Sequence, residues 1–367
     1  MKAGLYVHVP FCITRCGYCD FNTYAGLEEL RLPYVEALVR EADLARPGWP
    51  DARFVSVFLG GGTPTTLPIG QMVRLLDHLR TMLDVSPDAE VTSEANPDTV
   101  DVAYLAGLRA AGVTRLSLGL QSFDAGVLRA LERLHSAEAA VTAFEAARSA
   151  GFDDVNLDLI YGAAGETLAS WRRTLERTVA LSPEHVSAYA LTIEPATPLG
   201  RKVAAGVVPA PDPDTQADMY AAACEVLGEA GYEHYEVSNW ALPGRRCLHN
   251  LGYWEGRPYL GLGAGAHSFA GDRRWWNVRP PQQYLETVAR GLLPVGDEER
   301  LDADQRRLER LLLGLRLVDG VPESWLLAPE RADMFVEEGL AERRNGRLAL
   351  TDRGMFLANE LVTDLAG

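Results

Sequence analysis

Six short β-prone runs, separated by stretches with helical spacing of apolar residues, occupy the first half of the chain. They are Leu5 to Val9, Phe54 to Leu59, Ala89 to Glu94, Arg115 to Leu120, Asp154 to Gly162 and His185 to Leu191. The intervening PYVEALVREADLA and AAVTAFEAARSAG place apolar residues on one face of a helix. Gly151 closes the second of these with a helix-stop residue. Strand, helix, strand at this spacing specifies parallel βα units. Six in series predict an α/β chain whose core is a TIM-like barrel or a partial one, a (β/α)6 arrangement. An open doubly wound sheet is the alternative.

The pattern loosens after Leu191. IEPATPLGRKVAAGVVPAPDPD is Pro-rich and reads as an extended crossover or lid. A helix (TQADMYAAACEVLGEAG), a strand (YEHYEVS) and a Gly- and aromatic-rich region through Phe269 follow. From about Asp297 the character changes again. ADQRRLERLLLGLRLVDG has the pattern of an amphipathic helix. GLAERRNGRLALTDRG reads as a hairpin turning at Asn345-Gly346 between helices. Three regions are predicted: a barrel core over 1–200, a barrel extension over 201–296, and a small helical, winged-helix-like C-terminal domain over 297–367.

Winged-helix modules often bind DNA, but this one is rich in Asp and Glu, and the chain carries a formal net charge of −16. Such a field repels phosphate backbones. Nucleic acid is not expected as a partner, and the C-terminal region reads as a packing or docking unit. No run of ~18 apolar residues appears. The opening MKAGLYVHVPFC has neither a long apolar segment nor a small-residue cleavage site. A cytoplasmic protein without a membrane anchor of its own is expected.

Three of the five cysteines, Cys12, Cys16 and Cys19, stand on the loop leaving the first strand, spaced C-x3-C-x2-C. An odd total with three crowded together does not suit a disulfide framework. Thiolates are soft ligands for zinc and for iron–sulfur clusters. Structural zinc needs four ligands, and His8 is near enough in sequence to be counted as one. A cubane on three cysteines instead leaves one iron free to bind a small molecule. Other polar residues cluster at strand ends: Gly60 to Pro64 (GGGTP) after the second, Glu94 on the third, Gln121 after the fourth and Asp158 on the fifth. In a barrel these converge on one mouth. The glycines let the backbone approach a ligand closely, and their carbonyls can accept from an ammonium group. The Gly-Lys-Ser/Thr ending of a phosphate loop is missing.

The cysteine loop resembles that of the radical S-adenosylmethionine (SAM) superfamily. There the open iron of a 4Fe–4S cluster binds SAM, and an electron from the cluster cleaves the sulfonium to a 5′-deoxyadenosyl radical. The resemblance is to the coproporphyrinogen-oxidase type and extends over nearly the whole chain. Tyr6, His8 and Pro10 match its Y-x-H-x-P motif, with Tyr6 and His8 on one face of the strand. The resemblance implies that Tyr18 lies by the adenine and that Gly61, Gly62 and Thr63 face the methionine amino group. It places Glu94 and Gln121 at the ribose, and makes Asp158 the aspartate of strand five. Arg133, twelve positions after Gln121, becomes a partner for the methionine carboxylate; without the resemblance it would read as a solvated helix charge.

Two subfamilies share these features: the oxygen-independent coproporphyrinogen III oxidases, which decarboxylate two propionates, and the HemW-type haem chaperones. The oxidases carry a further cysteine two places after the third; here that position is Phe21. They also have an N-terminal extension reaching the active site, for which a strand starting at about residue four leaves no room. HNLGYW, His249 to Trp254, resembles the H-N-x-x-Y-W motif of the chaperones. His249 can supply an imidazole to haem iron, and Tyr253 and Trp254 can offer flat apolar area to a porphyrin. Cys247 is an alternative ligand; His267 reads as structural and Cys224 as core. The resemblance implies a haem chaperone that binds a 4Fe–4S cluster, SAM and haem and passes haem to respiratory haem proteins. It implies SAM held without turnover of a porphyrin, cluster-dependent homodimerisation, and transient attachment to the membrane where the recipients reside. Oxygen-independent coproporphyrinogen III oxidase activity is the alternative.

Overall fold

The computed structural model describes residues 1–366. All six expected strands are present: β1 (Lys2–Val9), β2 (Arg53–Gly61), β3 (Val85–Ala95), β4 (Arg115–Gln121), β5 (Val155–Tyr161) and β6 (His185–Ala190). They pair in sequence order, each parallel to the next. Between them run α1 (Arg31–Ala45), α2 (Ile69–Met82), α3 (Val102–Ala110), the tandem α4 (Ala125–Ala130) and α5 (Ala137–Ser149), and α6 (Leu168–Leu181). Successive crossover helices pack side by side, α1 on α2, α2 on α3 and α3 on α5. The order of the six strands never reverses, so the switch point of a doubly wound sheet is absent. The core is the partial (β/α)6 barrel. Leu5, Val7, Leu59, Leu116, Leu157 and Val186 have no exposed area. Each such side chain contributes about 1.5–3 kcal/mol relative to exposure.

The Pro-rich segment after β6 departs from the expected extended crossover. Thr197 accepts a hydrogen bond from Gly200 N–H and Pro198 occupies the first helical position, starting α7 (Pro198–Ala204). Leu199 N–H donates to Gly17 O at 2.8 Å, which seats this helix on the cysteine loop. Next come α8 (Pro213–Glu229), β7 (Glu233–Glu236), β8 (Asn239–Ala241) and α9 (Leu248–Trp254). At the opposite edge β9 (Tyr259–Leu262) pairs parallel to β1. Then β10 (His267–Ala270), β11 (Arg273–Asn277) and, beyond α10 (Pro281–Ala289), β12 (Val295–Arg300) continue the sheet antiparallel. The result is one twelve-stranded sheet, β12-β11-β10-β9-β1-β2-β3-β4-β5-β6-β8-β7. Strand β12 runs through the expected division at residues 296 and 297, so the architecture changes only after Arg300.

The C-terminal unit starts with α11 (Ala303–Gly314), opened by a reciprocal Asp302–Gln305 capping box. Around β13 (Val321–Pro322), β14 (Ala341–Arg344) and β15 (Arg347–Leu350) stand α12 (Pro329–Glu337), α13 (Asp352–Phe356) and α14 (Ala358–Ala366). The hairpin turns where expected: Asn345 and Gly346 have φ of 50° and 74°, as a two-residue type I′ turn requires. The unit is hydrogen-bonded to the barrel. Val237 N–H donates to Arg316 O at 3.1 Å and Val318 N–H to Tyr235 O at 3.2 Å, which covers the free edge of β7. Among the described residues no helix is long and apolar enough to cross a membrane.

Candidate cofactor site at the barrel mouth

The cysteine loop is closed at its feet. Cys12 N–H donates to Tyr24 O at 2.9 Å and Tyr24 N–H to Pro10 O at 2.7 Å. The loop returns on itself through Cys19 N–H to Cys16 O at 3.2 Å. Each thiol has a polar neighbour from a different place. Thr63 Oγ1 donates to Cys12 Sγ at 3.8 Å, Arg133 Nη1 to Cys16 Sγ at 3.3 Å, and Thr23 Oγ1 lies 3.9 Å from Cys19 Sγ. Burial pushes the Cys12 thiol up to about 11, against the Thr63 hydrogen bond, and raises Cys19 in the same way. Loading a metal here must therefore release protons.

The donor set fits a cluster better than a zinc ion. Among the described residues, the one trio of ligand atoms lying within 4.8 Å of one another is Cys224, His234 and Asp352, so the loop sulfurs are spread wider. Thiolates sharing one zinc at ~2.3 Å stand only ~3.8 Å apart. The fourth ligand counted from sequence is also corrected. His8 Nε2 donates to Asn22 O at 2.9 Å, and Nδ1 accepts from the Tyr6 hydroxyl at 2.9 Å. Both nitrogens are committed, and burial holds the ring neutral by lowering its pKa.

The glycine motif is shaped by close approach. Gly61 has φ of 104°, and a Cβ there would lie 2.3 Å from the His8 ring. Its N–H donates to Glu94 Oε2 at 3.1 Å. Burial pushes the Glu94 carboxyl up to about 8, with the Asp158 charge adding to the shift. Asp158 accepts from Ser117 Oγ at 2.8 Å and from Asn156 Nδ2 at 2.9 Å; burial raises it as well. The Asp158 charge thus disfavours ionisation of Glu94.

Arg133 is not a solvated helix charge. It follows α4 in a turn where Glu132 has φ of 54°, and its N–H donates to Leu128 O at 2.9 Å. The guanidinium swings inward to Cys16, to Asn96 Oδ1 at 3.1 Å and to Gly119 O at 3.3 Å. Gln121 sits beside it at φ of 60°, where β4 bulges against β5. Gln121 Oε1 and Arg133 Nε are buried without a partner among the described residues. An unpaired acceptor and an unpaired charged donor, adjacent to Cys16, fit a zwitterionic ligand carrying hydroxyl and carboxylate groups. Residues Cys12, Cys16, Cys19, Tyr18, Gly61, Gly62, Thr63, Glu94, Gln121, Arg133 and Asp158 therefore belong to one mouth. Asn96 was not singled out from sequence, although it shares the strand-end signal of Glu94.

His249 stands apart from these residues. HNLGYW forms helix α9, whose N-terminus is capped by the Glu90 carboxylate. Leu248 and His249 N–H donate to it at 2.9 and 3.0 Å, and the Cys247 thiol donates at 3.5 Å. His249 is 3% exposed. Its Nδ1 bonds Ser56 Oγ at 3.0 Å, its Nε2 bonds the Tyr253 hydroxyl at 3.0 Å, and its ring stacks on Phe58. Burial lowers its pKa to about 3. Neither His249 nor the buried Cys247 offers a free ligand atom. Trp254 lies under the Arg316 guanidinium. Tyr253 does line a cavity of about 640 Å³ at the barrel mouth, together with Tyr6, Gly61, Glu94, Phe21 and residues of the β9–β11 edge. Cys224 packs against the core as expected.

Residues 6–178 match the Radical SAM superfamily. The whole chain is similar to the heme chaperone HemW of Mycobacterium tuberculosis (strain ATCC 25618 / H37Rv), 44% identical with 99% of this chain and 95% of that one covered. It is 35% identical to the heme chaperone HemW of Bacillus subtilis (strain 168), with both chains covered completely, 100% each. Among solved structures it is similar to the coproporphyrinogen III oxidase HemN from Escherichia coli, a radical SAM enzyme. That likeness has a TM-score of 0.86 at 26% identity, over 100% of this chain and 90% of the oxidase.

Proposed function

Because the chain belongs to the radical SAM superfamily and, within it, to the HemW family of haem chaperones, we propose that it carries haem to respiratory haem proteins from a mouth that also holds a 4Fe–4S cluster and SAM. Cys12, Cys16 and Cys19 hold three irons. SAM would take the remaining iron, with Arg133 toward its carboxylate and the Gly61, Gly62 and Thr63 segment toward its amino group. Glu94, Gln121 and Asp158 take the ribose side, and Tyr6 and Tyr18 supply walls. When bound, the cluster supplies the electron for reductive cleavage of SAM. The protein works in the cytoplasm as a cluster-dependent homodimer that attaches transiently to the membrane where it meets its recipients.

The observation that carries this reading is the unequal likeness at equal coverage. The chain is 44% identical to a haem chaperone and 26% identical to the oxidase, each over essentially its full length. Phe21 supports it: where the oxidase pattern has another cysteine, this chain turns an exposed aromatic into the cavity.

Anaerobically reconstituted protein tests it. Ferric haem titrated with and without SAM is expected to give a saturable Soret band. Coproporphyrinogen III with SAM and a reductant is expected to release no carbon dioxide. Two equivalents of carbon dioxide per porphyrin would replace the chaperone reading with the oxidase one.

A further inference from the structure

Haem binding requires a cavity of cofactor size with an axial donor facing into it, an imidazole in many haem proteins and a thiolate, thioether or tyrosinate in others. The cavity at the barrel mouth, about 640 Å³, lies within the range of about 300–1,000 Å³ for such ligands. One side of it is aromatic, with Tyr253, Tyr259, Trp276 and Phe21; the other is the SAM side, with Tyr6, Gly61 and Glu94. Two imidazoles line it, His8 and His267. His8 uses both ring nitrogens in hydrogen bonds, as does His249 behind the Tyr253 wall. The imidazole left with a free nitrogen is that of His267.

His267 begins β10, faces the cavity and is exposed. Its ring is held by stacking on Trp276, with centroids 5.4 Å apart and planes at 25°. Neither ring nitrogen has a hydrogen-bond partner among the described residues. An axial iron site needs one free imidazole nitrogen, which His267 has, and here the Trp276 stack orients the ring. Arg279 lines the same cavity and supplies a fixed positive charge for a carboxylate. We propose, resting on the chaperone function proposed above, that His267 is an axial ligand of haem iron in this cavity and that Arg279 receives a propionate. Binding forms an Fe–N bond from the neutral imidazole lone pair and transfers no electron.

His249 then has a defined part. It is a positioning residue that fixes the Tyr253 hydroxyl, and so one wall of the cavity, through the 3.0 Å hydrogen bond.

Cluster-loaded wild type, His267→Ala, His267→Gly, His249→Ala and Tyr253→Phe are titrated with ferric haem and read by Soret absorption and EPR. SAM affinity and thermal melting verify the fold. His267→Ala is expected to weaken haem by about tenfold or more and to lose the imidazole-ligated EPR signal. Free imidazole restores that signal in His267→Gly. His249→Ala and Tyr253→Phe are expected to weaken haem alike while keeping wild-type EPR g-values. If His267→Ala keeps the wild-type spectrum, or His249→Ala changes the g-values, the assignment to His267 is overturned while the chaperone reading stands. If wild type takes up no haem at all, the proposed function fails and this inference with it.

Discussion

Gly62 joins the two loops that build the site, and replacing it with alanine tests whether their close approach holds the cysteine loop. Gly62 N–H donates to Val9 O at 2.9 Å, and the next residue, Thr63, donates to Phe11 O at 2.7 Å. A methyl group at position 62 would lie 2.7 Å from Phe11 O, 2.8 Å from Val9 O and 2.9 Å from Pro10 C. All three are backbone atoms, so no side chain can swing aside. Ordinary contact starts at 3.4 Å, so the loops must part by about 0.7 Å. Overpacking of this kind costs about 1–3 kcal/mol, and weakening two hydrogen bonds adds about 0.5–1.5 kcal/mol each. The sum, about 2–6 kcal/mol, lowers the melting temperature by roughly 4–12 °C at about 2 °C per kcal/mol for a large chain. Thr63 moves with Gly62, and with it the donor to Cys12, so iron and sulfide bound after anaerobic reconstitution should also fall. Gly70→Ala is the control: a Cβ there has nothing within 4 Å and a helical alanine is mildly favourable. If Gly62→Ala melts with wild type and loads a full cluster, backbone contact at this crossing does not hold the loop.

Two other perturbations read separate parts of the molecule. Arg133→Met should weaken SAM binding to the cluster-loaded protein by about ten- to a hundredfold, the worth of one charge-assisted hydrogen bond; unchanged affinity by calorimetry would remove Arg133 from the carboxylate. Glu41, buried under Tyr284, Asn277 and Gly263, is pushed by burial up to about 7, against an unfolded value of ~4.3. Between those values the folded chain holds more protons than the unfolded one, so this group's contribution is full below ~4.3 and is lost as pH rises through about 7. Glu41→Gln carries a constant penalty for its mismatched amide but no titration. Its melting temperature relative to wild type should therefore improve steadily across that window, and parallel curves would refute the assignment.

The barrel was legible because parallel strands are covered on both faces and read as short apolar runs between helical patterns. The edge strands carried no such signal. In β12, VGDEER, every residue after Val295 is exposed. It is a strand because its backbone pairs with β11, with Glu299 directly across from Arg274 and Glu298 reaching Arg273 on the diagonal. Exposed pairs of this kind contribute little stability; their use here is to fix register. The β9–β11 edge, which supplies Tyr259, His267 and Trp276 to the cavity, was hidden because its strands are only four or five residues long. Of these, β10 and β11 are added antiparallel and so have no crossover helix to announce them.

The site divides along the same line. The glycine motif, Glu94, Gln121 and Asp158 follow from one rule, that barrel strands end at the active mouth. Arg133 needed the family resemblance, because a turn after α4 aims it inward and nothing local predicts that. His249 shows what a local motif leaves open. Its motif fixes a local relation, His and Tyr four residues apart on one helical face, and the structure keeps that relation. Whether the imidazole is open to a ligand is decided by Ser56, Phe58 and Glu90, each more than 150 positions away in sequence. A sequence motif can state which side chains touch; access to iron depends on which nitrogen the rest of the fold leaves unpaired, and here that nitrogen belongs to His267.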